Sequence, residues 1–248
     1  MPPSTILLES PSRTTSAGGV AAARSEYHRG GGGASPTPAL HAIEVTAISH
    51  RVAKTLLKRE HYLHSLPGGT MLSFGVFLDR RMLGALTIGV GPKNVYQLVR
   101  GIQAREAATL TRLWLSDDLP SNSESRVIGV VLRALRKHTS LKFLVAYADP
   151  VQGHVGTVYQ ATGWIYTGES QPTPLVDIGD GVLRHSRSLA YSFGTHSIEY
   201  LRSKGVSAKL VAQTGKHRYV YLLDPSLIDR LTVPVMQYPK RGDTSESI

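Results

Sequence analysis

Phe143 to Ala148 is an unbroken apolar run of one strand's length, and Asp149-Pro150 closes it. Such a strand is stable only where both of its faces are covered. The cover must come from helices, and the sequence supplies one on each side. Upstream, Val127, Ile128, Val131, Leu132 and Leu135 recur at helical spacing, with Arg126, Arg133, Arg136 and Lys137 between them. Downstream, glycines at 153 and 156 turn the chain into a short helix over Gly156 to Thr162, and Trp164 to Thr167 reads as the next strand. A chain built this way is an α/β layer protein.

The rest of the pattern extends that frame. Ile43 to Ile48 predicts a strand. Residues 51–63 predict an amphipathic helix with Val52, Leu56 and Leu63 on its apolar stripe, ended by Pro67-Gly68-Gly69. Met71–Leu78 and Met82–Val90 predict a hairpin about Asp79-Arg80-Arg81. Val95–Val99 and Ala108–Leu115 read as further strands, and Ser121 with Glu124 has capping-box spacing ahead of the long helix. Beyond Thr167 the pattern weakens to a strand near Val182–His185, a helix at Ser197–Ser203 and a strand at Tyr219–Leu223. The strand–helix–strand passages favour parallel pairing of the Trp114 and Val145 strands. In open α/β sheets ligands lie beyond the carboxyl ends of such strands, here after Leu115 and after Ala148. Residues 1–40, rich in Gly, Pro and Ser, read as a disordered tail, 41–240 as the catalytic domain with a C-terminal extension, and 241–248 as a disordered end.

Composition narrows the chemistry. Cysteine is absent, which excludes disulfides, Cys-ligated metal and a Cys nucleophile. Lys and Arg total 28 against 18 Asp and Glu, a formal charge of +10 that suits a polyanionic partner. Apolar runs are too short to span a bilayer, so a soluble intracellular protein is expected.

The densest candidate for function runs from Tyr147-Ala148-Asp149 through Gln152-Gly153-His154 to Gly156-Thr157-Val158-Tyr159-Gln160. A carboxylate at a strand end and a phenol on the following helix can accept and donate a proton; the plain structural alternative is a turn cap and a core filler. Glu60-His61-Tyr62-Leu63-His64 offers a base or a metal ligand at a helix end, where a histidine also suits the helix dipole. With Asp149, His154 and Tyr159, His61 completes an N/O donor set for a non-haem iron. Arg112, inside an apolar strand, needs a partner if buried: Glu124, Asp149 or a ligand phosphate. Ser121, Asn122 and Ser123 stand where a helix N-terminus attracts anions, although capping alone accounts for Glu124.

These motifs together resemble the GNAT-like Mom proteins, DNA-modification enzymes of Mu-like bacteriophages. The resemblance rests on His61-Tyr62 with Pro67, on Arg112-Leu113 through Asn122-Ser123-Glu124-Ser125-Arg126, and above all on the Tyr147–Gln160 stretch. It spans residues 43 to 168 well and weakens toward 240. It implies a GNAT-like mixed central sheet flanked by helices. It implies a transferase that converts adenine N6 in phage DNA to methylcarbamoyl (acetamido) adenine and so shields the DNA from host restriction. It carries over His61, Arg112, Glu124, Asp149 and Tyr159 as active-site positions, with Tyr62 and Ser125 as substrate contacts. The implied cofactors are acetyl-CoA or another acyl-type donor, and an iron ion held by His61, Asp149 and Tyr159. The implied partner is double-stranded DNA in the cytoplasm of the bacterial host, with no membrane and with a homodimer compatible. One departure stands out. The pyrophosphate turn of GNAT enzymes is Gln/Arg-x-x-Gly-x-Gly/Ala, whereas Ser121–Arg126 has no glycine and carries Glu124. That predicts a donor seated differently, or a different donor. Two competing readings are an ordinary GNAT acetyltransferase acting on a small-molecule or protein amine, and a non-catalytic DNA-binding protein.

Overall fold

The computed structural model describes residues 40–184, 186–195 and 197–240. The two expected disordered ends, and His185 of the expected 182–185 strand, lie outside the described residues. The chain divides into two compact units, one formed by residues up to Lys93 with Ala108–Lys142, the other by Asn94–Ala107 with the chain from Phe143 onward.

The first unit holds β1 (Glu44–Ala47), α1 (His50–Glu60), β2 (Thr70–Leu78), β3 (Arg81–Gly89), β4 (Ala107–Leu115, its first residue counted with the other unit) and α2 (Ser123–His138). Its strands run β1-β2-β3-β4, each antiparallel to its neighbour. The β2–β3 hairpin closes on Asp79-Arg80, both at positive φ (48° and 62°), as a two-residue turn matched to strand twist requires. Ser49 caps α1, its side chain accepting the Val52 N–H. The buried face of α1 is Ala53, Leu56 and Leu57, packed on Ala85 with Ile48, Met82 and Trp114 alongside. The expected stripe was therefore misplaced: Val52 and Leu63 are exposed. The helix also stops at Glu60, three residues short of the expected end, because His61 turns to extended backbone.

The stripe predicted for α2 is buried throughout, and Val130 and Ala134 join it. Its capping box does not form. Asn122 is the N-cap, in the left-handed conformation that Asn tolerates, with no side-chain cap bond. The Ser123 hydroxyl donates back to the Pro120 carbonyl.

The second unit holds β5 (Phe143–Ala148), α3 (Thr157–Ala161), β6 (Ile165–Glu169), β7 (Leu175–Asp177), α4 (Ser186–Phe193), α5 (Ile198–Ser203), β8 (Lys209–Val211) and β9 (His217–Leu222). Here β9 lies between β5 and β6, antiparallel to both. Phe143, Val145, Val220 and Leu222 meet Val95, Val99 and Leu227 in one core. Val95–Leu98 is a 3-10 turn, not the expected strand. Val95 and Val99 are both buried while Gln97 between them is exposed, the spacing of a helical turn rather than of strand alternation. The antiparallel pair β7–β8 packs with α4 and α5 around its own small core of Val176, Leu189, Leu201 and Ala208. The expected 182–185 strand is reduced to a single bridge between Val176 and Arg184. The chain then runs as a strap along the unit: Thr232 N–H donates to the Leu98 carbonyl, Met236 N–H to that of Tyr166, and the Tyr238 hydroxyl to that of Trp164.

Candidate active site

His61, Tyr62 and Arg112 gather in the first unit. His61 is the C-cap of α1 and only 5% exposed. Its Nδ1 accepts the Leu63 N–H at 3.1 Å, so the neutral ring carries its proton on Nε2. In that form the ring can donate a hydrogen bond from Nε2. The Tyr62 ring stacks on it at 4.5 Å and 25°, and Tyr62 is itself half exposed. The guanidinium of Arg112 ties down the loop that follows: Nε donates to the Ser65 carbonyl at 2.9 Å and Nη1 to that of Thr111 at 2.7 Å. Among the described residues Arg112 meets two carbonyls and no carboxylate, so its charge is not neutralised. Burial lowers its pKa, and the nearby Tyr62 phenol opposes the shift.

Glu124 and Ser125 lie in the first turn of α2. Glu124 lines a shallow hollow of about 240 Å³ with Ser116, Asp117, Pro120, Ser121 and Ser123. Two carboxylates border this hollow and no glycine opens the turn, so it does not fit a pyrophosphate group.

Asp149 and Tyr159 stand in the second unit. Asp149 follows β5 and caps the turn after it, Oδ1 accepting the Val151 N–H at 3.1 Å. Its Oδ2 lies 2.8 Å from the Lys216 ammonium. The antiparallel register of β5 and β9 places Lys216 there: Ala148 faces His217, and one step further brings Asp149 opposite Lys216. Residue order alone does not single out Lys216. The signal was present but needed the pairing partner of β5 to be known. Replacing Lys216 with Met is expected to reduce activity at least tenfold while changing stability by less than about 1 kcal/mol, since the ammonium is half exposed. Parallel activity and urea-unfolding measurements check both halves.

Tyr159 is buried in an aromatic cluster, its ring 5.2 Å from Trp164 and 5.4 Å from Tyr219. Gln160 pins this cluster: its Nε2 donates to the Val155 carbonyl, the Tyr219 hydroxyl and the Pro239 carbonyl, at 3.0, 3.0 and 3.2 Å. Tyr219 in turn donates to the Val155 carbonyl. Gly156 is required twice over, by its positive φ of 75° and by the Tyr219 ring, which lies 2.4 Å from where a Cβ would sit. So Gly156 and Gln160, the less obvious members of the motif, build the frame around Tyr159.

Burial raises the pKa of the Tyr147, Tyr166 and Tyr219 phenols. In the unfolded chain they ionise near 10, in the folded chain higher. Stability from these groups is therefore full below about pH 10 and is lost as pH rises through the folded values. The tyrosinate absorbance of these three phenols, read as the difference between wild type and a Phe variant of each, is expected to rise together with loss of circular dichroism, not before it. Ionisation of these three near pH 10 in a still-folded protein is the opposite result.

Among the described residues no three His, Asp or Glu side chains converge to hold a metal ion. No helix among the described residues is long and apolar enough to cross a membrane.

The model of the Mom protein family matches residues 42–240. The chain belongs to the Mom family. A Mom relative, the protein named methylcarbamoylase mom of Escherichia phage Mu, is 31% identical over 205 residues, covering 80% of this chain and 84% of that protein. Among solved structures, the GNAT family N-acetyltransferase YhbS of Escherichia coli in complex with CoA has 14% identity and a TM-score of 0.43, with coverage of 82% and 94%. The spermidine/spermine N-acetyltransferase SpeG of Vibrio cholerae has 8% identity and a TM-score of 0.45, with coverage of 76% and 96%. In this Mom chain the family match takes in every candidate site residue, from His61 to Tyr159.

Proposed function

We propose that this Mom protein is a methylcarbamoylase that modifies the N6 amine of adenine in DNA. The observation that carries the reading is the 31% identity, across four-fifths of the chain, to a protein named for that activity. The net charge of +10 supports DNA as the substrate, because phosphate contacts hold a duplex without reading its sequence.

The reaction makes one N–C bond at N6, breaks the bond between the transferred group and its donor, and releases one N6 proton. Inside a duplex the amine is paired and stacked, so the adenine must leave the stack. In the first unit the exposed face of Tyr62, backed by His61, is an aromatic surface on which a base can stack. Asp149 accepts the hydrogen bond of the exocyclic amine and takes its proton. Lys216 keeps that carboxylate in place. In the first unit Arg112, which meets no carboxylate among the described residues, suits an anionic group, and His61 carries on Nε2 a proton that it can donate. Tyr159 orients the donor from its fixed ring position. Glu124 borders the polar hollow at the start of α2 and contacts substrate there, with Ser125 beside it in the same helical turn.

Mass spectrometry of nucleosides from DNA of bacteria expressing the full chain tests this. A deoxyadenosine species about 57 mass units heavier is expected; a gain of about 42 would mark acetyl transfer, and unaltered DNA with folded protein present would overturn the reading.

A further inference from the structure

We infer that the solvent face of α1 is a DNA-docking surface that grips backbone phosphates beside the site loop. The helix carries Arg51, Lys54, Lys58 and Arg59 against a single acid, Glu60. Glu60 is ion-paired with its neighbour Arg59, which leaves Arg51, Lys54 and Lys58. All three are exposed, and among the described residues no carboxylate pairs with any of them. They recur at i, i+3 and i+7, so they share one side of the helix, opposite Ala53, Leu56 and Leu57, which face the core.

Solvation alone does not account for this placement. Cations stabilise the last turn of a helix and oppose the dipole in the first. Lys58 and Arg59 lie where the helix benefits, but Arg51 lies in the first turn, where it does not, and that turn contains no acidic residue. An anion held from outside reverses that penalty, because it meets both the side-chain charges and the positive end of the helix. A row of phosphates is such an anion, and three neutralised phosphates give a binding term that follows salt.

The position of the helix ties this surface to the chemistry. Its last residue leads directly into His61 and Tyr62, and Arg112 fastens the same loop through the Ser65 carbonyl. A strand held on Arg51, Lys54 and Lys58 therefore lies beside the exposed Tyr62 ring. This inference rests on the DNA-modifying reading for its choice of polyanion.

The test compares wild type with R51Q/K54Q/K58Q, which keeps helix-forming side chains while removing three charges. Binding of a fluorescent random-sequence duplex by the full chain is followed as salt is raised. The slope of log affinity against log salt is expected to shallow by about 2.7, that is three contacts at about 0.9 each. The charge-preserving variant R51K/K54R/K58R should keep the wild-type slope. An unchanged slope in the glutamine variant, or an equal loss in the charge-preserving one, overturns the inference. If the triple variant does not fold, Lys54→Glu alone should shallow the slope, and wild-type behaviour there is equally decisive. Nucleoside mass spectrometry on the same proteins separates the two ideas. Modified DNA with an unchanged slope removes the docking surface and leaves the enzyme. Unmodified DNA from cells expressing the wild type, together with a shallower slope in the glutamine variant, does the reverse.

Discussion

Asp149→Ala is expected to lower the heavier deoxyadenosine species by at least about 100-fold, the usual worth of a positioned proton acceptor. The protein should remain folded. Asp149 caps one short turn, and losing such a cap costs about 1 kcal/mol. The loss of its Lys216 partner adds little at a half-exposed site. Asp149→Asn sharpens the result, because its carbonyl oxygen can still accept the Val151 N–H while the charge and the second acceptor oxygen are gone. Nucleoside mass spectrometry alongside thermal melts reads both quantities. Wild-type levels of product in either variant would remove Asp149 from the reaction.

Gly156→Ala is the largest expected structural effect, a loss of about 2–4 kcal/mol. About 1 kcal/mol comes from placing a Cβ at a φ of 75°. The remainder comes from overpacking, since the new methyl meets the Tyr219 ring at 2.4 Å and that ring cannot retreat. Tyr219 is fully buried, and its hydroxyl is held by Val155 and Gln160. Gly153→Ala is the matched control: φ is 69° there, but nothing lies within 4 Å of the added carbon. Denaturant unfolding should show the Gly153 change costing about 1 kcal/mol and the Gly156 change clearly more. Equal losses would mean that Tyr219 yields, and that the aromatic frame around Tyr159 is soft.

Long apolar patterns were legible in the sequence. The β5 run, the α2 stripe and the β2–β3 hairpin all lie where residue order alone places them, because each buries enough apolar surface to outvote local preferences. Short segments were not. Val95–Leu98 contains too few residues to separate period two from a helical turn, and Asn122 took the cap from Ser121 through backbone conformation rather than side-chain chemistry. Three-residue strands such as β7 and β8 carry almost no periodic signal. At the candidate site Asp149 was readable from its place after β5, but the Lys216 contact was not, since it depends on β9 arriving antiparallel from far along the chain. The burial of Tyr159 likewise follows from Trp164 and Tyr219, neither of which had been connected with it.

Between β6 and β9 the chain leaves at Ser170 and comes back at Lys216, and the two residues meet. The Ser170 N–H donates to the Lys216 carbonyl at 2.8 Å, and the Lys216 N–H donates to the Ser170 hydroxyl at 3.1 Å. Gly215 makes the approach feasible, since a Cβ there would lie 2.5 Å from the Ser170 carbonyl oxygen. Everything from 171 to 215, including the small core of β7, β8, α4 and α5, thus hangs from a closed hairpin neck. Loop length past a closed neck costs only slowly growing entropy. Evolution can therefore lengthen, shorten or exchange that lobe as a cassette while the lysine at its neck keeps its grip on Asp149.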